Sequence, residues 1–403
     1  AMPLSALGAW FAAARVARTG WGPTVAAIGW AAAPPLLAGI ASGQLGAVVA
    51  HVLLPWLALA VLDARRSWSM AAVAGLLFAA VAASAPVLVP ALVVLLALLI
   101  VLQPHRIHRL VTIVVPAATV FAPLVIQQFA RGTPFALLAD PGVPVVRETP
   151  RTLELLLGSP TADAAGWSTF AQAAGVPWLV GVPGSIVLAV SVAPLAVIAL
   201  LALFLRGGER ALPWLVIAAA GLLTAVGSAH LAVALVGGEA AAIWAGSGLS
   251  LYWLGLLAAT AVGLDALGRF APVPALVAAL GVVLAAVPLG LAAANGRTAL
   301  EPSNGRVLPA VVVAESAARP EVGTLELAAR GEDAVTAILH RGAGPLAERV
   351  LTLQTTRTAV GPEQERVAVL AGNLVSASGM DLAPTLDELG VDYLLLDASG
   401  TDS

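Results

Sequence analysis

Of the 403 residues, 60% are hydrophobic and only 11% are charged, whereas a soluble domain carries roughly a quarter charged residues. Water cannot solvate that balance, so an ordinary soluble globular protein is excluded. A formal net charge of −3 without a basic patch argues against a nucleic-acid partner, and the absence of Cys excludes disulfides and thiolate metal sites.

In chain order, residues 1–300 carry 13 Arg against 8 Asp and Glu, a net of +5, while 301–403 carry 7 Arg against 15 acidic residues, a net of −8. Two such regions live in different solvents. The chain opens with Ala1-Met2-Pro3 and runs straight into apolar sequence without a basic n-region. It reads as starting inside an element of a longer protein. Apolar runs of about 18 residues, enough for about 30 Å of hydrocarbon as helix, then recur. They predict a mainly α, polytopic bundle of about ten spans, at 3–14, 21–39, 45–62, 67–84, 86–102, 110–128, 179–205, 211–236, 244–264 and 271–293. The first is too short to cross fully. Ala83-Ser84-Ala85-Pro86 reads as a turn that splits 67–102 in two, with a single kinked span as the alternative.

Every second connection is basic: Arg15 and Arg18, Arg65 and Arg66, Arg106 and Arg109, Arg206 and Arg210, and Arg269. Basic connections stay on the cytoplasmic side. That alternation predicts a plasma-membrane, multi-pass topology, with the 129–178 loop and the C-terminal region outside. Trp21, Trp68 and Trp214 at the basic ends, and Trp178 and Trp244 at the outer ends, read as interfacial anchors.

The expected division is a transmembrane domain over 1–294 and a small extracytoplasmic α/β domain over 295–403. Helices are predicted at Pro309–Ala318, Glu363–Ser376 and Leu382–Leu389. Strands are predicted at Gly323–Ala328, Val335–His340 and Val391–Leu396. No phosphate-binding glycine loop or histidine cluster is present there, so a binding or structural role is expected of it.

Polar groups within spans are functional candidates. His51 lies four residues before Pro55; it either bonds a carbonyl freed by the kink at that proline or lines a substrate cavity. His230 presents the same choice in the eighth span. Gln127 and Gln128 close the sixth span, where a headgroup or sugar would meet them or the interface is simply marked. His105 and His108 flank Arg106 without a third ligand, so no metal site is assigned. The 129–178 loop holds Asp140, Arg147, Glu148, Arg151, Glu154, Asp163 and Trp167. Such a set suits a sugar or lipid phosphate: Trp stacks on sugar faces, Arg pairs with phosphate, and a carboxylate accepts a proton. It also suits an ordinary loop surface. The carboxylates on the outer side before the tail that an enzyme would use are Asp140, Glu148 and Glu239. Arg147, Arg151, His51, Gln127, Gln128, Trp167 and His230 are the substrate-binding candidates.

Gly39–Trp56 (GIASGQLGAVVAHVLLPW), Pro320–Leu325, His340–Gly344, Leu370–Gly379 and Leu389–Leu396 resemble large actinobacterial membrane glycosyltransferases. Those proteins carry a cytoplasmic family-2 catalytic domain before a membrane region similar to the GT-C class, which uses polyprenyl-phosphate sugars. The resemblance implies a part in cell-envelope polysaccharide assembly, a lipid-linked sugar or glycan as partner alongside membrane lipids, and contacts with envelope-synthesis proteins. It places a divalent metal only in the nucleotide-sugar domain, which this sequence does not contain. The acidic residue of the GT-C first outer loop has no counterpart at 40–44. The leading expectation is therefore the membrane portion of a glycosyltransferase. A lipid-linked glycan transporter or flippase and a non-catalytic membrane scaffold are the alternatives. Repeated halves and charge-paired broken helices, which a transporter would show, are not evident.

Overall fold

The computed structural model describes residues 2–142, 144–175, 181–236, 239–299, 308–330, 334–343, 352, 356, 361–376 and 378–397. The chain is mainly helical, with a small sheet near the C-terminus. It divides into two compact units. The first comprises Ala1–Pro141, Val146–Val233 and Ala241–Glu301, and the second Gly142–Val145, Ala234–Ala240 and Pro302–Ser403.

In the first unit, long apolar runs become helices because hydrocarbon offers the backbone no outside hydrogen-bond partner. The helices are α1 (Met2–Ala14), α2 (Trp21–Ala31), α3 (Pro34–Ala41), α4 (Leu45–Ala64), α5 (Trp68–Ser84) and α6 (Val89–Leu102). They continue with α7 (Ile107–Val111), α8 (Val115–Ala130), α9 (Thr152–Leu156), α10 (Trp167–Ala174), α11 (Gly184–Leu201), α12 (Leu212–His230), α13 (Gly246–Leu267) and α14 (Pro272–Ala294). Among the described residues, six helices are long and apolar enough to cross a membrane: Trp21–Ala41, Leu45–Ala64, Gly184–Phe204, Gly208–His230, Gly246–Phe270 and Pro272–Ala294. Counting each of two bent pairs as one span raises this to eight. The molecule thus has the helices of a multi-pass membrane protein.

The expectation of ten spans differs from this count for local reasons. At 13 residues, α1 is only about 20 Å long. Trp68–Ser84 and Pro86–Leu102 pass as a pair bent by 120°, so 67–102 is a broken span or a re-entrant loop. The break falls where Ala85 turns to φ −146° and Pro86 withholds an N–H. The span expected at 211–236 also needs correction. Helix α12 stops at His230, and Ala232–Val236 (β1) pairs with Glu239–Ala242 (β2). Two short apolar runs separated by Gly237-Gly238 carry a hairpin signal.

Helix α13 is the axis of the unit: every residue from Gly246 to Leu264 is buried. It can be so because α12 comes very close. A Cβ on Gly248 would collide with the Ala225 backbone, and one on Gly255 with the backbone of Trp214 and Ala218. Small residues permit this approach where apolar burial alone cannot drive helices together in lipid. Trp21 and Trp68 are exposed, as anchors would be, but Trp214 and Trp244 are 8% and 5% exposed. Those two rings therefore pack inside the protein rather than at the lipid interface; Trp178 lies outside the described residues.

In the second unit, β3 (Gly323–Arg330) is central, antiparallel to β4 (Ala334–Arg341) and parallel to β5 (Val391–Asp397). The helices are α15 (Ala310–Ala318), α16 (Pro362–Val375) and α17 (Ala383–Glu388). Leu325 and Leu327 point to one face, where Val367 and Leu370 of α16 join them in a core. On the alternate residues, buried Glu326 accepts from or donates to His340 Nε2 at 2.7 Å. Tyr393 and Arg319 both reach the Glu315 carboxylate, which holds that carboxyl below its usual range. All six predicted elements of this unit are present within two residues of their expected bounds, the largest difference being β3, which runs on to Arg330.

Candidate functional site: a cleft at the head of α13

After α8, a short 3₁₀ turn (Pro134–Leu138) delivers Asp140, and an extended stretch then leads to α9. Helix α9 is held on α13, because the Tyr252 hydroxyl donates to the Leu156 carbonyl at 2.9 Å. Gly158, at φ +83°, sits where a Cβ would strike the Trp253 indole. The returning loop is pinned by Ser159, whose hydroxyl accepts from the Ala165 N–H at 2.9 Å. Asp163 binds both the N–H and the hydroxyl of Thr169, at 3.1 and 2.6 Å. Ala164 and Ala165 adopt positive φ values of 45° and 59°, a conformation non-glycine residues hold only where surroundings enforce it.

Between these segments lies a cleft of about 300 Å³, lined by Arg147, Glu148, Thr161, Asp163, Ile243 and Trp244 among others. Trp244 organises it. Its backbone N–H donates to Asp140 Oδ2 at 3.3 Å, and its ring carries the Arg147 guanidinium 5.2 Å from the centroid. A guanidinium over an indole face is held by the ring quadrupole. Asp140 Oδ1 is shielded from solvent and has no hydrogen-bond partner, an unmet demand that a donor on a ligand would satisfy. Burial raises the Asp140 carboxyl to about 7, partly countered by the Trp244 N–H and by Arg147. Burial also lowers Arg147, with Asp140 pulling in the opposite direction. The first turn of α13 follows directly after Trp244 and Ala245, adding the positive end of a long helix dipole. A carboxyl that can hold or release a proton near neutral pH thus stands beside a fixed cation.

The structure therefore brings two of the sequence candidates, Asp140 and Arg147, to a tryptophan expected to be only an anchor, and it places Arg147 and Glu148 in the cleft wall, of which Asp140 is not a lining residue. Glu148 is exposed in the cleft wall. Arg151 is also exposed, and its N–H donates to Glu154 at 2.7 Å as the start of α9. Trp167 is 4% exposed and packs edge-on against Phe170, so it serves the core and not a sugar face. Gln127 is exposed, while Gln128 is buried and accepts from the Thr133 hydroxyl at 2.9 Å. His230 is exposed at the end of α12. For Glu239, the side chain lies outside the described residues.

His51 is enclosed. Its Nδ1 meets the Ser250 hydroxyl at 2.9 Å and its Nε2 meets the Trp30 carbonyl at 3.0 Å, with the ring stacked on Trp30 at 3.8 Å. The residue four after Trp30 is Pro34, which has no N–H to offer that carbonyl. The carbonyl-bonding alternative describes this histidine, with Pro34 rather than Pro55 as the proline. Its role as a substrate ligand is corrected accordingly: both ring nitrogens are already engaged inside the bundle. Among the described residues, no group of three His, Asp or Glu side chains is arranged to hold a metal. No protein-family model matches the chain, and neither a curated protein nor a solved structure matches it.

Proposed function

We propose that the chain is the membrane portion of a glycosyltransferase that moves a sugar from a polyprenyl-phosphate donor, with the cleft at the head of α13 as its reaction site. The observation that carries this reading is the pairing of a buried carboxyl raised to about 7 with an adjacent arginine. In the reaction, Asp140 takes the proton of an acceptor hydroxyl as that oxygen bonds to the anomeric carbon. The bond from that carbon to the phosphate oxygen breaks, and the phosphate leaves with the electron pair. Arg147 faces the developing negative charge, a charge-assisted contact of the kind that recognises phosphate. A general base works best with a pKa near the operating pH, which burial supplies at Asp140. Glu148 and Thr161 in the cleft wall offer partners for sugar hydroxyls.

The test is turnover by proteoliposomes carrying the whole chain, given a panel of polyprenyl-phosphate pentoses and hexoses and followed by release of polyprenyl phosphate. Asp140→Asn is expected to lose about 10²–10⁴-fold. Arg147→Gln is expected to lose roughly tenfold or more, because the leaving phosphate would then lack its counter-charge. If no donor turns over while the lipid-linked sugar still binds, catalysis here is refuted and transport or scaffolding remains.

A further inference from the structure

A second cavity lies at the opposite end of α4. The Leu45 end of that helix neighbours the cleft loop, since a Cβ on Gly46 would meet Pro141. The Arg65 end is 20 residues on, or about 30 Å. Here α4, α6 and α12 enclose a groove of about 500 Å³ walled by Leu57, Leu95, Leu99, Leu254 and other apolar side chains, with Arg65 and Gln103 as the hydrophilic residues among the described ones that line it. A basic cleft of about 410 Å³, with Arg15, Arg18 and Arg210 in its wall, shares Leu62 and Trp214 with the groove.

The charge at this end is strongly one-sided. Burial first, then repulsion from Arg66 and Arg106, holds Arg65 below its usual value, against the opposite pull of Asp63. Arg109 Nη1 donates to the Arg65 carbonyl at 3.1 Å and its guanidinium lies over Trp68. The nearby carboxylate of Asp63 bonds to Arg15 at 3.0 Å. Among the described residues, none of Arg65, Arg66, Arg106 and Arg109 forms an ion pair with a carboxylate.

We infer that this groove binds one anionic phospholipid, its acyl chain against the leucines of α4 and α6 and its phosphate on the Arg65, Arg66, Arg106 and Arg109 cluster. Chain and headgroup each match what the protein presents: a wall of mostly apolar side chains that includes Arg65, beside further arginines that form no carboxylate ion pair among the described residues. Basic pockets between membrane helices recognise phosphate headgroups in this way. The site lies at the other end of the bundle from Asp140, so it stands or falls separately from the proposed chemistry.

The experiment is native mass spectrometry of the delipidated full chain in detergent, titrated with dioleoyl phosphatidylglycerol or dioleoyl phosphatidylcholine. One phosphatidylglycerol is expected to be retained in preference to phosphatidylcholine. Arg65→Gln and Arg106→Gln are each expected to weaken it roughly fivefold. Leu95→Trp, which fills the groove, is expected to abolish retention at an unchanged melting temperature; if that variant does not fold, Leu99→Phe takes its place. Equal retention of the two lipids overturns the assignment, as does retention unaffected by the groove variant, which would mean surface lipid only. Displacement by excess glycerol phosphate would also overturn it, since the arginines would then be binding a free anion without the groove.

Discussion

Helices α6 and α13 are both continuous apolar stretches, yet the structure uses them in opposite ways. From Gly246 to Leu264, α13 buries every side chain, whereas α6 buries only Leu96 and exposes Val94 at 64% and Val101 at 74%. Composition explains the difference. Helix α13 interleaves Gly246, Gly248, Gly255 and Gly263 with Ser247, Ser250 and Thr260, while α6 is almost wholly Leu, Val, Ile and Ala. In hydrocarbon, a leucine gains little by leaving lipid for protein, so close packing and interhelical hydrogen bonds decide which helix goes inside. Hydropathy finds the helices; the small and hydroxylated residues sort them.

The sharpest way to break this comparison is to enlarge one residue in each helix. Gly255→Leu drives a side chain into the Trp214 and Ala218 backbone and is expected to cost more than about 4 kcal/mol, leaving no monodisperse protein on detergent size exclusion. Ala97→Leu on the exposed side of α6 should elute and melt as the parent does, within about 0.5 kcal/mol. Equal behaviour of the two variants would mean that α13 is not the packed axis.

A smaller effect is expected from His51→Ala. This opens a cavity beside Trp30 and strips its carbonyl and the Ser250 hydroxyl of a partner, at a cost of about 2–4 kcal/mol. Steric-trapping or thermal unfolding in detergent measures it. A loss of substrate affinity with stability intact would instead return His51 to the ligand-binding residues.

The smallest effect concerns pH and the head of α13. Asp140 is raised to about 7 against about 3.9 in an unfolded chain. The folded state therefore holds its proton more tightly, and stability should be lost progressively as pH rises from about 4 to about 7, then level off. Asp140→Asn cannot ionise. It should flatten that part of the pH profile and melt a few degrees above the parent at pH 8. Parallel profiles for parent and variant would show that the carboxyl is solvated, and would weaken the general-base assignment with it.

Much of this was legible residue by residue. The strand and helix periodicities of the tail located all six of its elements. Asp140, Arg147 and Glu148 could be picked out because a long polar loop between apolar spans is unusual. Their company could not: nothing in the local pattern distinguishes a membrane anchor from Trp244, which joins Asp140 across 104 positions of chain. The same holds for His51, whose partner Ser250 is 199 positions away. The hairpin at 232–242 was written in its Gly-Gly dipeptide but hidden by the continuity of the apolar run.

The amino-acid sequence alone determines that the chain carries helices apolar enough to cross a membrane, because hydropathy is a property of composition, and where helices and strands form, because periodicity and turn residues act over a few positions. Tertiary structure alone decided which apolar helix lies at the centre, which tryptophans are exposed, and which carboxyl keeps its proton near neutral pH. Those outcomes depend on packing and desolvation by residues a hundred or more positions away, and a carboxyl has the same intrinsic pKa wherever it stands in an extended chain.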